Sequence, residues 1–475
     1  MRQGEPVIAA EKLVASDEAT AATAAHLDFY VQFAREAADP PPEHTEDRKS
    51  LAAIELHNLL HALETAIVGQ RREAVAPLCE ALRDEDIVDP GRAAEIRHQV
   101  LRIWKMASNY EDTEGAARLG HLAVHMHWKA WDNITAVDLA DEAMELAVAA
   151  GDRELCWDVA VTAAAAAAGG RREDAIRKWL NIASPYARDA EAHSLLIMFV
   201  AGLGHHAEAA DAAEELLQSL SPDETPEGQH LAYHAAAVVR MRMAHFEEAA
   251  RAGEMALQII RRHFASDREM NTAAPPVYVP AFARSGRREL AETVIEDVLS
   301  RLRDAPPALV AEKTAGIVAF CNLGEMWDTG AQVSDEFLTP FPPDALPDAP
   351  VPDAAGGVAE SYARVGRPDD ARAVIRLLLE ADRQWDEEMG YFTGQNVKSM
   401  AEVLRATGQR ALAVTVAELA RRLQESQPAL QLTCRELLDL MATEIPEDEY
   451  AEAVAAAEGM KPSDAVALTR EALGL

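Results

Sequence analysis

The strongest constraint on this chain is a spacing that recurs along it: a small turn residue, an alanine five positions on, and a small or aliphatic residue twelve on. It reads Gly69/Ala74/Ala81, Gly170/Ala175/Ile182, Gly204/Ala209/Leu216, Gly286/Ala291/Val298, Gly366/Ala371/Leu378 and Gly408/Ala413/Ala420. Ala244/Ala249/Ala256 and Trp131/Ala136/Ala143 fit with the glycine replaced, and Gly324/Thr329/Glu336 is a degraded copy. A glycine accepts the left-handed backbone of a tight turn between antiparallel helices, and alanines one helical face apart let the second helix approach the first closely. The spacing therefore predicts an all-α chain of stacked helical hairpins. Composition agrees: 49% of the residues are hydrophobic but only 5% aromatic, so the apolar surface is shallow and alanine-rich.

The segments AGLGHHAEAADAAEELL (201–217), AHFEEAARAGEMAL (244–257), ARSGRRELAETVIEDVL (283–299) and ARVGRPDDARAVIRLLL (363–379) carry the pattern most fully. They resemble the tetratricopeptide repeat. The resemblance implies an α-solenoid of tetratricopeptide-like hairpins wound into a right-handed superhelix. Successive key positions 175, 209, 249, 291, 329, 371 and 413 lie 34, 40, 42, 38, 42 and 42 residues apart. That exceeds the usual period of about 34 and implies extended loops or helices, as in divergent repeats of bacterial sensor proteins. The register is expected from about residue 130 to 425, with the stretch around 304–353 excepted.

Prolines interrupt the array. PFPPDALPDAPVPD (340–353) excludes helix and favours an extended path, so residues 339–353 are expected to be a surface loop or hinge, cut first by protease between Phe341 and Val351. Pro275, Pro276 and Pro280 are expected to truncate or kink the helix before Gly286. A third loop, ADPPPEHTEDRKS (38–50), separates a helix around His26–Ala37 from one around Leu51–Val68. The expected organisation is a helical lead-in (1–50), a repeat array (51–338), the proline-rich stretch (339–353), and C-terminal repeats with capping helices (354–475).

Both ends carry a further likeness. Glu11-Lys12-Leu13, His26, Tyr30, Ala34, Glu36-Ala37, Glu55, Asn58-Leu59 and Ala62-Leu63 fall on a pattern that ends the winged-helix module in bacterial signalling ATPases of the STAND class, LuxR-type regulators included. IPEDEYAEAVAAAEGMKPSDAVALTREAL (445–473) is similar to the terminal helical pair of the same sensor regions: an acidic helix, a turn at Gly459, and a capped helix from about Ser463. Those ATPases cradle phosphate on a Gly-x-x-x-x-Gly-Lys-Ser/Thr loop, whereas this sequence contains no Gly-Lys dipeptide. Nor is a helix-turn-helix expected after the last helical pair. The resemblance thus implies a sensor half without the ATPase and without the DNA-binding module.

Eighty acidic against 45 basic residues give a formal charge of −35, which repels phosphate backbones and anionic headgroups. Direct nucleic-acid binding and membrane association are therefore not expected. The cysteines Cys79, Cys156, Cys321 and Cys434 show no Cys-x-x-Cys spacing and read as reduced core thiols. With no apolar leader at the start and only the alanine-rich Val159–Ala168 as an apolar run, a cytoplasmic protein of a bacterium is expected.

Three sets of residues are candidates for chemistry. Histidines recur at i, i+4 in His57/His61, His121/His125 and His230/His234, and HLAVHMHWKAW (121–131) is the richest cluster. Without the glutamate of His-Glu-x-x-His, a structural role outweighs a metal one, and neither metal nor cofactor is assigned. Trp128 and Trp131 are expected to fill the groove between hairpins, with a binding surface as their alternative. Arg242, Arg284 and Arg364 stand two positions before a turn, and Arg405 three before. On a concave face such a stripe could fork-bind carboxylates of a peptide or an anionic effector, while a cation at a helix C-terminus explains it as well.

No nucleophile motif of the Gly-x-Ser-x-Gly kind appears, and runs such as IPEDEY (445–450) read as helix starts or solvated faces. The expectation is a non-enzymatic interaction or effector-sensing scaffold in bacterial signalling or transcriptional regulation, with a protein or peptide partner such as a STAND-type ATPase. The alternative is a metal-dependent enzyme or metal-binding protein built on His121, His125 and His127.

Overall fold

A computed structural model describes residues 18–38, 51–84, 88, 90–107, 112–169, 172–221, 223–265, 268–303, 307–338, 351–380 and 391–475. Among these residues every regular element is helical and none is a strand. The fold is an all-α array of helices packed in antiparallel neighbouring pairs. It divides into two compact units, Met1–Arg188 and Asp189–Leu475, at a point where the sequence shows no proline-rich break.

In the first unit α1 (Glu18–Ala38) packs on α2 (Leu56–Val68) and α3 (Arg72–Arg83), and α4 (Pro90–Ala107) packs on α5 (Thr113–Lys129). The hairpins continue with α6 (Asn133–Ala150), α7 (Arg153–Gly169) and α8 (Glu173–Ala183). Helices α3, α5 and α7 lie side by side in one layer. Aspartates start several helices: Asp112 accepts from the Gly115 amide (3.1 Å), Asp152 from Leu155 (3.0 Å) and Asp132 from Thr135 (3.4 Å). Each satisfies an N-terminal donor that no helical carbonyl reaches.

The second unit opens with α9 (Ala190–Gly202), capped by Asp189 through the Ala192 amide (2.8 Å), and runs through α10 (His206–Ser219), α11 (Pro226–Arg242) and α12 (Phe246–His263). The expected break at Pro275–Pro276 is present. The first helix of that hairpin is split into α13 (Arg268–Ala273), a 3-10 turn over Pro275–Tyr278, and α14 (Val279–Arg284). After α15 (Arg288–Leu302) comes a hairpin of α16 (Pro307–Leu323) and α17 (Trp327–Val333), so the repeat continues through the stretch that the sequence pattern excepted. Then follow α18 (Val351–Arg364), α19 (Pro368–Glu380), α20 (Tyr391–Ala406), α21 (Arg410–Leu423), α22 (Pro428–Ala442), α23 (Glu447–Ala456) and α24 (Pro462–Leu473). Of the expected proline-rich hinge, residues 339–350 lie outside the described residues, and Val351 already begins α18.

The turns confirm the spacing and correct its register in two places. Gly204, Gly286, Gly366 and Gly408 adopt φ of 78–87°, and Trp131 (60°) and Ala244 (62°) take the same left-handed slot. At the first hairpin the slot belongs to Gln70 (φ 55°), with Gly69 still right-handed at −82°. Likewise Glu325 (φ 59°), not Gly324, turns the chain after α16. Moving that copy by one residue replaces Thr329 with Gly330 at the close-contact position. There an added Cβ would stand 2.7 Å from Ser361 Oγ, which makes Gly330 a tighter version of the usual alanine. Ala136, Ala209, Ala249, Ala291, Ala371 and Ala413 are all fully buried as the packing requires, while Ala175 is only half-buried.

At the C-terminal end the expected pair is found. The left-handed Gly459 (φ 78°) joins α23 to α24, and Asp464 accepts from the Lys461 amide at 2.9 Å to cap the latter. No helix among the described residues is long and apolar enough to cross a membrane.

Candidate functional site

The arginines of the stripe are already engaged by the chain's own groups. Arg284, closing α14, donates Nη1 and Nη2 to the two carboxylate oxygens of Glu436 on α22 at 2.7 and 2.8 Å, and Nε to the Leu323 carbonyl at 3.0 Å. Arg405, near the end of α20, holds Glu444 Oε1 at 2.9 Å. Arg364, ending α18, donates Nε to Glu402 Oε1 (2.7 Å), keeps Nη2 2.5 Å from the same oxygen as an ion pair, and stacks over the Trp327 ring at 4.9 Å. Arg242 is also engaged, and its charge adds to burial in holding His206 below its ordinary pKa. The forks that the sequence pointed at do bind carboxylates, and in Arg284, Arg364 and Arg405 those carboxylates belong to the same unit.

Arg364 leads into a cluster the sequence reading missed. Glu360, Lys398, Glu402, Ser361 and Ser399 on α18 and α20 are between 0 and 5% exposed. Lys398 Nζ donates to one Glu360 oxygen and Ser399 Oγ to the other (3.1 Å), while Ser361 Oγ donates to Asn322 Oδ1 (2.6 Å). Burial raises the Glu402 carboxyl above the usual carboxylate range, opposed by the charges of Arg364 and Lys398. The signal was available: Glu360 and Glu402 each stand six residues before a turn glycine, Gly366 and Gly408. Two glutamates at one register of adjacent repeats are stacked by the fold. Chemically the cluster is a closed ion network, with each charge facing an opposite one, and it ties neighbouring hairpins together.

The histidine cluster separates in space. His121 on α5 lies between α3 and α7: Arg83 Nη1 donates to His121 Nδ1 and to Asp158 Oδ2, both at 2.9 Å, and His121 Nε2 meets Thr162 Oγ1 at 3.2 Å. An imidazole that accepts from a guanidinium at Nδ1 offers no lone pair there to a metal, and its Nε2 must carry the proton toward Thr162. His125 is 6.2 Å from His121, edge to face, and is pushed down to about 3 by burial and by the charges of Lys129 and Arg83. His127 turns away to Asp132 Oδ2 (2.9 Å) and packs on His98. The arrangement expected of a metal-dependent site at His121, His125 and His127 is thus absent, and no group of three such ligands converges among the described residues. Nearby Cys79 is buried, with its thiol pushed up to about 12 by desolvation, and Cys156, Cys321 and Cys434 are likewise free and buried.

Trp131 corrects the groove-filling expectation. It is 76% exposed in its left-handed turn, and Ile134, three residues on, is 66% exposed. Trp128 is half-buried with its ring against His125 at 5.4 Å. The two tryptophans therefore do different work: one packs inside its hairpin, and the other presents a large aromatic face to solvent.

No protein-family model and no curated protein matches the chain. Among solved structures it is similar to a "Circular tandem repeat protein with novel repeat topology and enhanced subunit contact surfaces", at 14% identity over 95% of this chain and 98% of that one, with a TM-score of 0.17.

Proposed function

We propose that this protein is a non-enzymatic, tetratricopeptide-like interaction scaffold that works in bacterial signalling, in the manner of the sensor half of a STAND-class regulator, and binds a protein partner in the cytoplasm. The observation that carries the reading is Trp131. A large side chain in a left-handed turn costs about 1–2 kcal/mol of backbone strain, and full exposure forgoes the burial that normally offsets such a residue. At the sister turns the same slot holds Gly, Gln, Ala or Glu. Aromatic anchors of this kind dominate the energetics of protein interfaces. Ile134, three residues on, is also exposed, and the arginines of the stripe, engaged by the chain's own groups, leave Trp131 as the better candidate for first contact.

The test is affinity capture from the native host with the full chain, comparing wild type with the Trp131→Gly, Ile134→Ser double variant. Species retained by wild type should fall at least about tenfold in the variant, equivalent to 1.4 kcal/mol, while the Trp131→Gly change relieves strain and leaves the melting temperature no lower. Equal recovery with both proteins, or no recovered species together with a flat thermal-shift response to peptide pools, would overturn the reading.

A further inference from the structure

Helix α22 touches helices far from it in sequence. Besides its neighbours α21 and α20 it packs on α11, almost 200 residues earlier in the chain. At its N-terminal end the Ser426 carbonyl lies 2.8 Å from His206 Nε2, and the Ser426 side chain packs on the left-handed Gly204. Further along, Glu436 receives the Arg284 fork. These contacts form a seam on which the second unit folds back upon its own first hairpins.

Two features set Arg284 apart from an ordinary structural arginine. Its guanidinium is held from two other sides, by the Leu323 carbonyl and by the Phe246 ring at 5.6 Å, and the side chain is only 11% exposed. It also has a second acceptor already in place. Glu325 Oε1 stands 3.5 Å from the same Nη1 that donates to Glu436, and Glu325 sits in the strained left-handed slot after α16, fixed to the same side of the seam as Arg284. Loss of Glu436 therefore does not strand a buried cation, because a carboxylate half-exposed to solvent waits within one ångström of hydrogen-bonding range.

We infer that Arg284 is a two-position clasp: paired with Glu436 it holds the hairpins of residues 190–325 against α22, and paired with Glu325 it releases them. The alternative acceptor removes most of the penalty that breaking a partly buried ion pair would otherwise carry, so the seam can open without unfolding either side. Helix α22 packs more extensively on α21 than on α11, which favours its staying with α21 when the seam opens. This device goes beyond the scaffold reading and does not depend on Trp131.

The experiment is amide hydrogen exchange on the full-length protein at low ionic strength, read at the seam segments 204–207 and 426–431, with circular dichroism as the check on folding. Glu436→Gln weakens the closed position and is expected to speed exchange at both segments by about fivefold, whereas Glu325→Gln removes the competitor and is expected to slow it by about twofold. Opposite signs are the signature of a clasp. Unchanged exchange in Glu436→Gln, or exchange that is unchanged or faster in Glu325→Gln, would overturn it. Should Glu436→Gln fail to fold, the Glu325→Gln result alone decides the question.

Discussion

Glu402 on α20 is fully buried and accepts a hydrogen bond from Arg364 Nε on α18, with Arg364 Nη2 in ion-pair contact with the same oxygen, while Arg405 Nε stands 3.5 Å from the other. Removing one member of such a pair leaves a charge in a low-dielectric interior. Arg364→Ala is therefore expected to destabilise the second unit by about 3–5 kcal/mol, whereas Arg364→Met combined with Glu402→Leu should fall within about 1.5 kcal/mol of wild type. Urea unfolding of both variants checks the contrast. A single variant no worse than the double would show that the pair is not stabilised as described.

Acid should destabilise the protein from about pH 6.5 downward. Burial, followed by repulsion from His230, pushes His234 down to about 4, so the folded state favours the neutral ring. A histidine whose pKa falls on folding contributes fully above the unfolded value near 6.5, and that contribution is lost as pH falls toward the folded value. At pH 5 the loss is on the order of 2 kcal/mol. His234→Gln, which can still face the Tyr278 hydroxyl now 2.8 Å from Nδ1, should flatten the slope of stability against pH between 6.5 and 5. An unaltered slope in urea titrations would reject this assignment.

The left-handed slots give a graded series. An added Cβ at Gly286, Gly366 or Gly408 meets nothing within 4 Å, so an alanine there suffers from backbone conformation alone. Each Gly→Ala change should cost about 1 kcal/mol, and the reverse changes Gln70→Gly and Ala244→Gly should recover a similar amount. Thermal melts of the five single variants measure this directly. A destabilising Ala244→Gly would contradict it.

Helical glycines separate into two kinds. A Cβ at Gly253 on α12 would lie 3.0–3.2 Å from Tyr278, whose ring is 1% exposed and cannot retreat, so Gly253→Ala is expected to cost about 1–3 kcal/mol. At Gly316 on α16 nothing lies within 4 Å, and Gly316→Ala should instead stabilise by about 0.5–1 kcal/mol through helix propensity. Opposite signs in chemical denaturation are the outcome to look for.

The hairpins were legible because turn and close-packing positions select for residue size, which survives in a bare sequence. Gly286, Gly366 and Gly408 announced their turns correctly. At Gly69 and Gly324 a glycine happened to precede the left-handed residue, and Gln70 and Glu325 carry φ values that side-chain identity does not advertise. The pairing of Glu360 with Lys398 and of Glu402 with Arg364 was hidden for a different reason. Charged residues are mostly solvated, so their types alone predict exposure, and only their shared place six residues before a turn distinguishes these two. Trp131 misled in the opposite sense, since large aromatics usually pack inward and this one does not.

The recurrence of one left-handed slot across Gln70, Trp131, Ala244 and Glu325 has a bearing on how such a protein can change over generations. Behind Trp131 and Ala244 the hairpin geometry is fixed by the buried Ala136 and Ala249 five residues on rather than by the slot itself, so a substitution in the slot carries only the small backbone penalty of the left-handed conformation. Selection can thus rewrite the side chains shown at successive turns, one at a time, without renegotiating the interior. Glu325 apart, whose carboxylate stands beside Arg284, the turns amount to a row of independently editable letters on an unchanging frame.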